Sequence, residues 1–217
     1  MTSFLGEKLT CIRGERVIFT NLNFSINEGE VLYLKGPNGS GKSTLLRLMA
    51  GLLPPTSGAL TWNNKDINDD EGLFRSLIHY VGHQDAIKTG LTVEENLHFW
   101  AEMNSYMKEA GTVQKALKEF SLDNLSTLPA RFLSAGQRKR LNLARLSATS
   151  APLWLLDEPS NSLDSDSVKI LSRAISEHQQ KGGMVAIATH EKLDINSNTL
   201  TLSMFTDFKA SARGYNG

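Results

Sequence analysis

The run GPNGSGKST, residues 36–44, has the spacing G-x-x-x-x-G-K-[ST] and follows an apolar stretch, VLYLKG. Gly36, Gly39 and Gly41 let backbone N–H groups curl around phosphate oxygens with no Cβ in the way. Pro37, Asn38 and Ser40 complete the loop. Lys42 is placed to reach the β- and γ-phosphates, and the Ser43 hydroxyl can ligate Mg²⁺. Thr44 opens the following helix, LLRLMAGLL, whose N-terminus adds about half a positive charge. Loop, lysine and helix together form a nucleoside-triphosphate cradle, and the chemistry they imply is phosphoryl transfer.

Such a cradle needs acids and a water-positioning group. The apolar run PLWLLDE (152–158) ends in two carboxylates at the C-terminal end of a predicted core strand, where α/β folds place ligands. Asp157 is expected to hold the Mg²⁺ shell, and Glu158 to polarise a water for in-line attack on the γ-phosphate. His190 ends the run MVAIATH at the same sheet edge. It is expected to hydrogen-bond a γ-phosphate oxygen and steady Glu158 and the water, although a lone histidine there is more often structural. Gln84 ends IHYVGHQ (78–84) and opens the middle of the chain. It is expected to touch Mg²⁺ and the attacking water. Taken alone, it reads as an exposed strand-end glutamine, and neighbouring His83 as a surface or structural residue.

A second helix start, LSAGQ (133–137), has a capping box: Ser134 accepts from the backbone three residues on and Gln137 reaches back. Yet its first turn holds Ala135 and Gly136, and Gly costs about 1 kcal/mol against Ala in a helix. Small residues at that cost suggest that something approaches the backbone there.

The elements that must position these groups follow from hydrophobic patterning. VLYLKG, PLWLLDE, MVAIATH and IHYVGHQ read as buried strands, and helical patterns alternate with them, which predicts a largely parallel, doubly wound sheet. LTCIRGERVIF, LNFSINEGE and GALTWNNKDI, separated by turns, predict an antiparallel layer beside it. TVEENLHFWAEM, with a capping box from Thr92 to Glu95, and VQKALKEFSL after Gly111 predict a helical region. The expected organisation is one domain over 1–217: a catalytic core of 1–84 and 146–217, and a helical subdomain of 85–145. Gly182–Gly183 reads as the C-terminal cap of a helix that follows Asp164. The formal net charge is zero, and the charged run RKR (138–140) reads as a solvated face, so nucleic acid is not an expected partner. The single cysteine, Cys11, permits no internal disulfide and fits a reducing compartment. The sequence contains neither a signal-peptide pattern nor a membrane-spanning apolar stretch.

In order and approximate spacing, GPNGSGKST, Gln84, LSAGQ, LLDEP (155–159), NSLD (161–164) and His190 resemble the ATPase domains of ABC transporters. The resemblance implies the P-loop ABC-ATPase fold, ATP and Mg²⁺ as cofactors, and ATP hydrolysis. It identifies LSAGQ with the family's signature segment, Ala135 replacing the more common glycine. It identifies NSLD with the D-loop, putting Ser162 and Asp164 at an inter-subunit seam. It implies an ATP-dependent head-to-tail homodimer, in which Ser134, Gly136 and Gln137 of one subunit meet the ATP cradled by the other. Many such domains stack an aromatic residue on adenine. Arg13 corresponds to it here, and either stacks through its planar guanidinium or is an exposed turn residue.

CIRGERVIF, GLLPPTSGALTWNNKDI, YVGHQDAIKTGLTVEENLHFW and RFLSAGQRKRLNLARL further resemble the haem exporter ATP-binding family of bacterial cytochrome c maturation. That resemblance implies membrane-spanning permease partners of the CcmB, CcmC and CcmD types, and a peripheral position on the cytoplasmic face of the inner membrane. It also implies a link between hydrolysis and release of the haem-loaded chaperone CcmE. Another ABC exporter, a soluble ABC ATPase and a P-loop kinase remain the alternative readings.

Overall fold

The computed structural model describes residues 2–103, 112–191 and 193–202 of the 217-residue chain. In chain order the strands are β1 (Ser3–Arg13), β2 (Arg16–Asn27), β3 (Val31–Lys35), β4 (Ser57–Trp62), β5 (Lys65–Asp66), β6 (Ile78–Val81), β7 (Leu153–Asp157), β8 (Met184–Ala188) and β9 (Asn198–Thr201). The helices are α1 (Lys42–Met49), α2 (Glu71–Ser76), α3 (Val93–Met103), α4 (Thr112–Glu119), α5 (Ala135–Ala148) and α6 (Ser165–Gln180). Gly111, residues 104–110 within the expected helical subdomain, and residues 203–217 of the expected core lie outside the described residues.

The apolar runs form the predicted parallel sheet, in the order β6-β7-β8-β3-β9. Successive side chains of a strand point to opposite faces, and here both faces are covered, so the strands read as unbroken apolar runs. Leu153 and Leu155 face one core, shared with Leu34, Ala186, α1 and the antiparallel layer. Trp154 and Leu156 face the other, shared with Tyr33, Ile187 and helices α3–α6. The antiparallel layer has the order β2-β1-β4-β5. An aromatic group of Phe4, Phe24, Trp62 and Phe74, with ring centroids 5.4–6.2 Å apart, closes its outer end.

Three local features depart from the sequence expectations. The pieces read as LTCIRGERVIF and LNFSINEGE share one long strand, β2. The interruption between them is an irregularity at Asn21 (φ +49), where the pairing shifts from Leu9–Leu22 to Cys11–Phe19. The strand expected over 78–84 stops at Val81, where its pairing with Leu156 ends and Gly82 follows. The polar edge strand β9 (NTLT) and the short helix α2, capped by Asp70 on the Leu73 N–H at 2.9 Å, had no periodic signal.

Candidate active site

Three neighbouring strands, β7, β8 and β3, deliver their C-terminal ends to one edge of the sheet. From β3 the chain enters the glycine loop and then α1. Gly36, Gly39 and Gly41 all lie at positive φ (+149, +80 and +100), a region that side chains rarely adopt. A Cβ would stand 2.6 Å from Ser40 Oγ at Gly36 and 2.5 Å from Ile18 Cγ2 at Gly41, whereas at Gly39 its nearest neighbour would be 3.9 Å away. The loop is thus packed from behind at its two ends and open in the middle.

A cavity of about 560 Å³ lies over this loop. Asn38, Gly39, Gly41, Lys42, Ser43 and Thr44 line it, together with Glu158 and His190. Lys42 Nζ donates to the carbonyls of Gly36 (2.7 Å) and Pro37 (3.2 Å). Ser43 Oγ donates to Asp157 Oδ1 at 2.9 Å. Asp157 is 1% exposed, and its second oxygen, Oδ2, is buried without a partner among the described residues. Such an oxygen costs energy unless a donor or cation meets it. A hydroxyl beside one carboxylate, opening on a phosphate cradle, suits Mg²⁺, which keeps most of its ligands as water and phosphate.

Glu158 sits one residue past β7 at φ +48, a conformation that costs on the order of 1–3 kcal/mol for a residue with a side chain. Its N–H donates to Ala188 O at 2.7 Å, which pins the turn to β8. Its carboxylate thereby enters the cavity, with Oε1 3.5 Å from His190 Nε2. His190 Nε2 also stands 2.9 Å from Asn38 Oδ1, tying the end of the β8 segment to the glycine loop. Beneath it, the hydroxyls of Ser160 and Thr189 bond at 2.8 Å and join the loops after β7 and β8.

The other sequence-predicted residues lie elsewhere. Gln84 is exposed, three residues past β6, and is not part of the cavity wall; His83 is, with Nε2 3.8 Å from Asp157 Oδ1. Arg13 is exposed and outside the wall, while Arg16 is part of it and donates to Gly39 O at 3.4 Å. Asn161 and Ile18 complete the lining. The signal for Arg16 and Ile18 was their shared face of a strand, two residues apart, once the turn is set at Gly14–Glu15.

Ser134 caps α5 through the predicted capping box: it accepts from the Gln137 N–H at 3.2 Å, and its own N–H donates to Gln137 Oε1 at 2.8 Å. Ser134, Gly136 and Gln137 are not in the cavity wall. Asp164 caps α6, accepting from the Ser167 N–H at 2.8 Å, and is also outside it. The chain therefore gathers the cradle, the paired carboxylates and His190 in one place and leaves the α5 N-terminus apart from them.

Residues 19–161 match the family model described as ABC transporter. A protein of Paramagnetospirillum magneticum named cytochrome c biogenesis ATP-binding export protein CcmA is 49% identical over 197 residues, covering 90% of each chain. The protein of the same name from Rhodospirillum rubrum is 48% identical, covering 97% of this chain and 90% of its own. Among solved structures, a putative ABC transporter ATP-binding protein from Pyrococcus furiosus superposes with a TM-score of 0.82 at 23% identity, over 94% of this chain and 99% of that one. A dimeric ATP-binding cassette, in a post-hydrolysis state bound to ADP and Pi, superposes with a TM-score of 0.77 at 28% identity, over 87% of this chain and 88% of its own.

Proposed function

The chain belongs to the ABC transporter family, and on that premise we propose that it is the ATP-hydrolysing subunit of a cytochrome c biogenesis export system. One observation carries the chemical half of this reading. Ser43 and Asp157 bond at 2.9 Å beneath the glycine loop, and Glu158 and His190 face the same cavity. Its biological half rests on the relatives' names.

The polyphosphate of ATP lies along the N–H groups of the glycine loop, with Lys42 turned onto its β- and γ-oxygens. Ser43 Oγ and Asp157 would hold Mg²⁺, which would neutralise phosphate charge there. Glu158 orients a water and takes its proton as the water attacks the γ-phosphorus in line. His190 exchanges the Nε2 contact with Asn38 for a hydrogen bond to a γ-phosphate oxygen, with the Glu158 carboxylate beside it. Gln84, in the loop after β6, would turn towards the metal and the water. The far side of the γ-phosphate needs further donors. The N-terminus of α5 supplies them from a second copy, with the hydroxyl proton of Ser134, the N–H of Gly136 and the side-chain amide of Gln137 facing the phosphate and Asp164 at the seam. Arg13 stacks on the adenine.

No helix among the described residues is long and apolar enough to cross a membrane. The work of hydrolysis is accordingly delivered to membrane-spanning partners of the CcmB, CcmC and CcmD types, with the chain peripheral on the cytoplasmic face of the bacterial inner membrane.

Glu158→Gln tests both halves. The purified variant is expected to bind ATP but hydrolyse it about 10²–10⁴-fold more slowly. A strain carrying only this variant is expected to make apocytochrome c and no holocytochrome c. Turnover at the parent rate would overturn the role of Glu158. Normal haem attachment in a strain lacking the chain would overturn the pathway.

A further inference from the structure

Helix α5 carries a polar row on a face that is otherwise core: Lys139, Asn142 and Arg145, spaced three residues apart, are 6%, 0% and 9% exposed. The hydrolytic mechanism uses none of them. Arg145 Nη2 donates to the carbonyl of Tyr80 in β6 at 2.6 Å. Asn142 Nδ2 donates to Asp85 Oδ1 at 3.1 Å. Among the described residues Asn142 Oδ1 is buried without a partner, so the bond to Asp85 is the polar anchor of this amide. Between the two gripped points, Tyr80 and Asp85, run the last residue of β6 and then Gly82, His83 and Gln84.

The two grips are three residues apart on the helix, about 4.5 Å of rise and just under one turn. They therefore fix both ends of the segment that carries Gln84. The chain beyond Asp85 is fixed as well. Asn96 of α3, fully buried, accepts from the Lys88 N–H at 2.9 Å and donates to Lys88 O at 3.0 Å and Thr92 O at 2.8 Å. Charge supports the arrangement. Burial pulls Lys139 below the usual lysine range, while Asp85, then Asp157 and Glu158, oppose that shift. Burial likewise pulls Arg145 down to about 10, again opposed by Asp85. Asp85 is thus a counter-charge to two buried cations as well as a hydrogen-bond acceptor.

We propose that Asp85, anchored by Asn142 while Arg145 holds Tyr80, is a positioning residue for hydrolysis: the clamp sets where Gln84 stands over the catalytic edge of the sheet. The inference rests on the reading of Gln84 as a metal- and water-facing group. It adds the device that places it and assigns that device to the same helix whose N-terminus meets the partner's nucleotide. A displacement of Gln84 by about 1 Å suffices to cost on the order of 10²-fold in rate.

Steady-state ATPase kinetics and thermal melting of the purified chain test this, with Glu158→Gln, Gln84→Ala, Asn142→Ala, Asp85→Ala and Asp85→Asn compared. Asn142→Ala and Asp85→Ala are expected to lower kcat between about tenfold and 10²-fold with KM for ATP unchanged. Either change combined with Gln84→Ala is expected to fall no further than Gln84→Ala alone. Asp85→Asn keeps an accepting oxygen for Asn142 and is expected to recover most of the rate. Asn142→Ala removes the bond with no change of charge, so it reports even if loss of Asp85 leaves Lys139 and Arg145 unbalanced and the fold weakened. A folded Asn142→Ala variant with parental kcat would overturn the clamp, as would losses that multiply with Gln84→Ala. A silent Gln84→Ala beside an inactive Glu158→Gln would overturn the clamp and leave the hydrolytic reading standing. Parental turnover in Glu158→Gln would overturn that reading, and the clamp with it.

Discussion

At Gly41 a Cβ would stand 2.5 Å from Ile18 on a backbone at φ +100, so any side chain there disturbs the cradle itself. Gly136 is the opposite case. It lies in the first turn of α5 with ordinary helical backbone, and among the described residues a Cβ would meet only Ser162 O, at 3.4 Å. Among the described residues nothing demands glycine there, and helix propensity disfavours it by about 1 kcal/mol relative to alanine. On the proposed function its reason lies outside the chain, in a ligand that reaches the helix N-terminus. Gly136→Ala should therefore melt at or above the parent temperature while losing ATPase activity, whereas Gly41→Ala should lose both. Calorimetry beside a phosphate-release assay separates the two, and a fully active Gly136→Ala would contradict the approach of a ligand there. The capping box and the cradle were legible because their residue types sit at fixed local spacings. Arg16 was not, because its place over Gly39 depends on where the β1–β2 hairpin turns and on Ile18 packing against Gly41, neither of which leaves a local pattern.

Among the elements, the parallel strands were legible as apolar runs and their order was not, since β8 enters between β7 and β3 by contacts far apart in sequence. The paired faces also conceal two histidines. His79, in β6, is hydrogen-bonded to Thr149, and burial first, then Arg145 and His178, lowers its pKa to about 3. His178, in α6, stacks on Trp154 at 3.9 Å between centroids, and burial lowers its pKa to about 4 against opposing bonds to the backbone. Both values lie below the unfolded value of about 6.5, so below that pH the unfolded chain binds protons that the folded chain refuses. Their contribution is complete above pH 6.5 and is lost as pH falls from there towards 4, by up to about 1.4 kcal/mol per pH unit for each histidine. Denaturant unfolding measured across pH 4–7 should show this acid slope, and His79→Gln should remove about one proton from it. An unchanged slope in that variant would mean that His79 is not held neutral in the fold. In the sequence, IHYV carries no sign of this, because a strand pattern does not tell a buried histidine from a surface one.

At the scale of the whole molecule, one chain holds a cradle with its carboxylates and, apart from it, the N-terminus of α5, which the proposed function sets against a second copy's phosphate. Two copies related by a two-fold axis would make two complete sites, each with its cradle from one chain and its α5 N-terminus from the other, an isologous arrangement. The structural relative in a dimeric, ADP- and Pi-bound state is consistent with such a pair. Without nucleotide the seam lacks the charge that joins its halves, so sizing of the nucleotide-free chain should show a monomer, and Glu158→Gln with ATP a dimer. The sharper test is complementation. Lys42→Ala spoils the cradle and leaves α5 intact; Gly136→Asp puts a negative charge at the α5 N-terminus and leaves the cradle intact. Each alone should be inactive. In an equimolar mixture half the pairs are mixed, and each mixed pair has one site with both halves sound, so about a quarter of the parental activity should return. If cradle and helix of the same chain acted on one nucleotide, no mixture could recover, because every chain would carry its own defect.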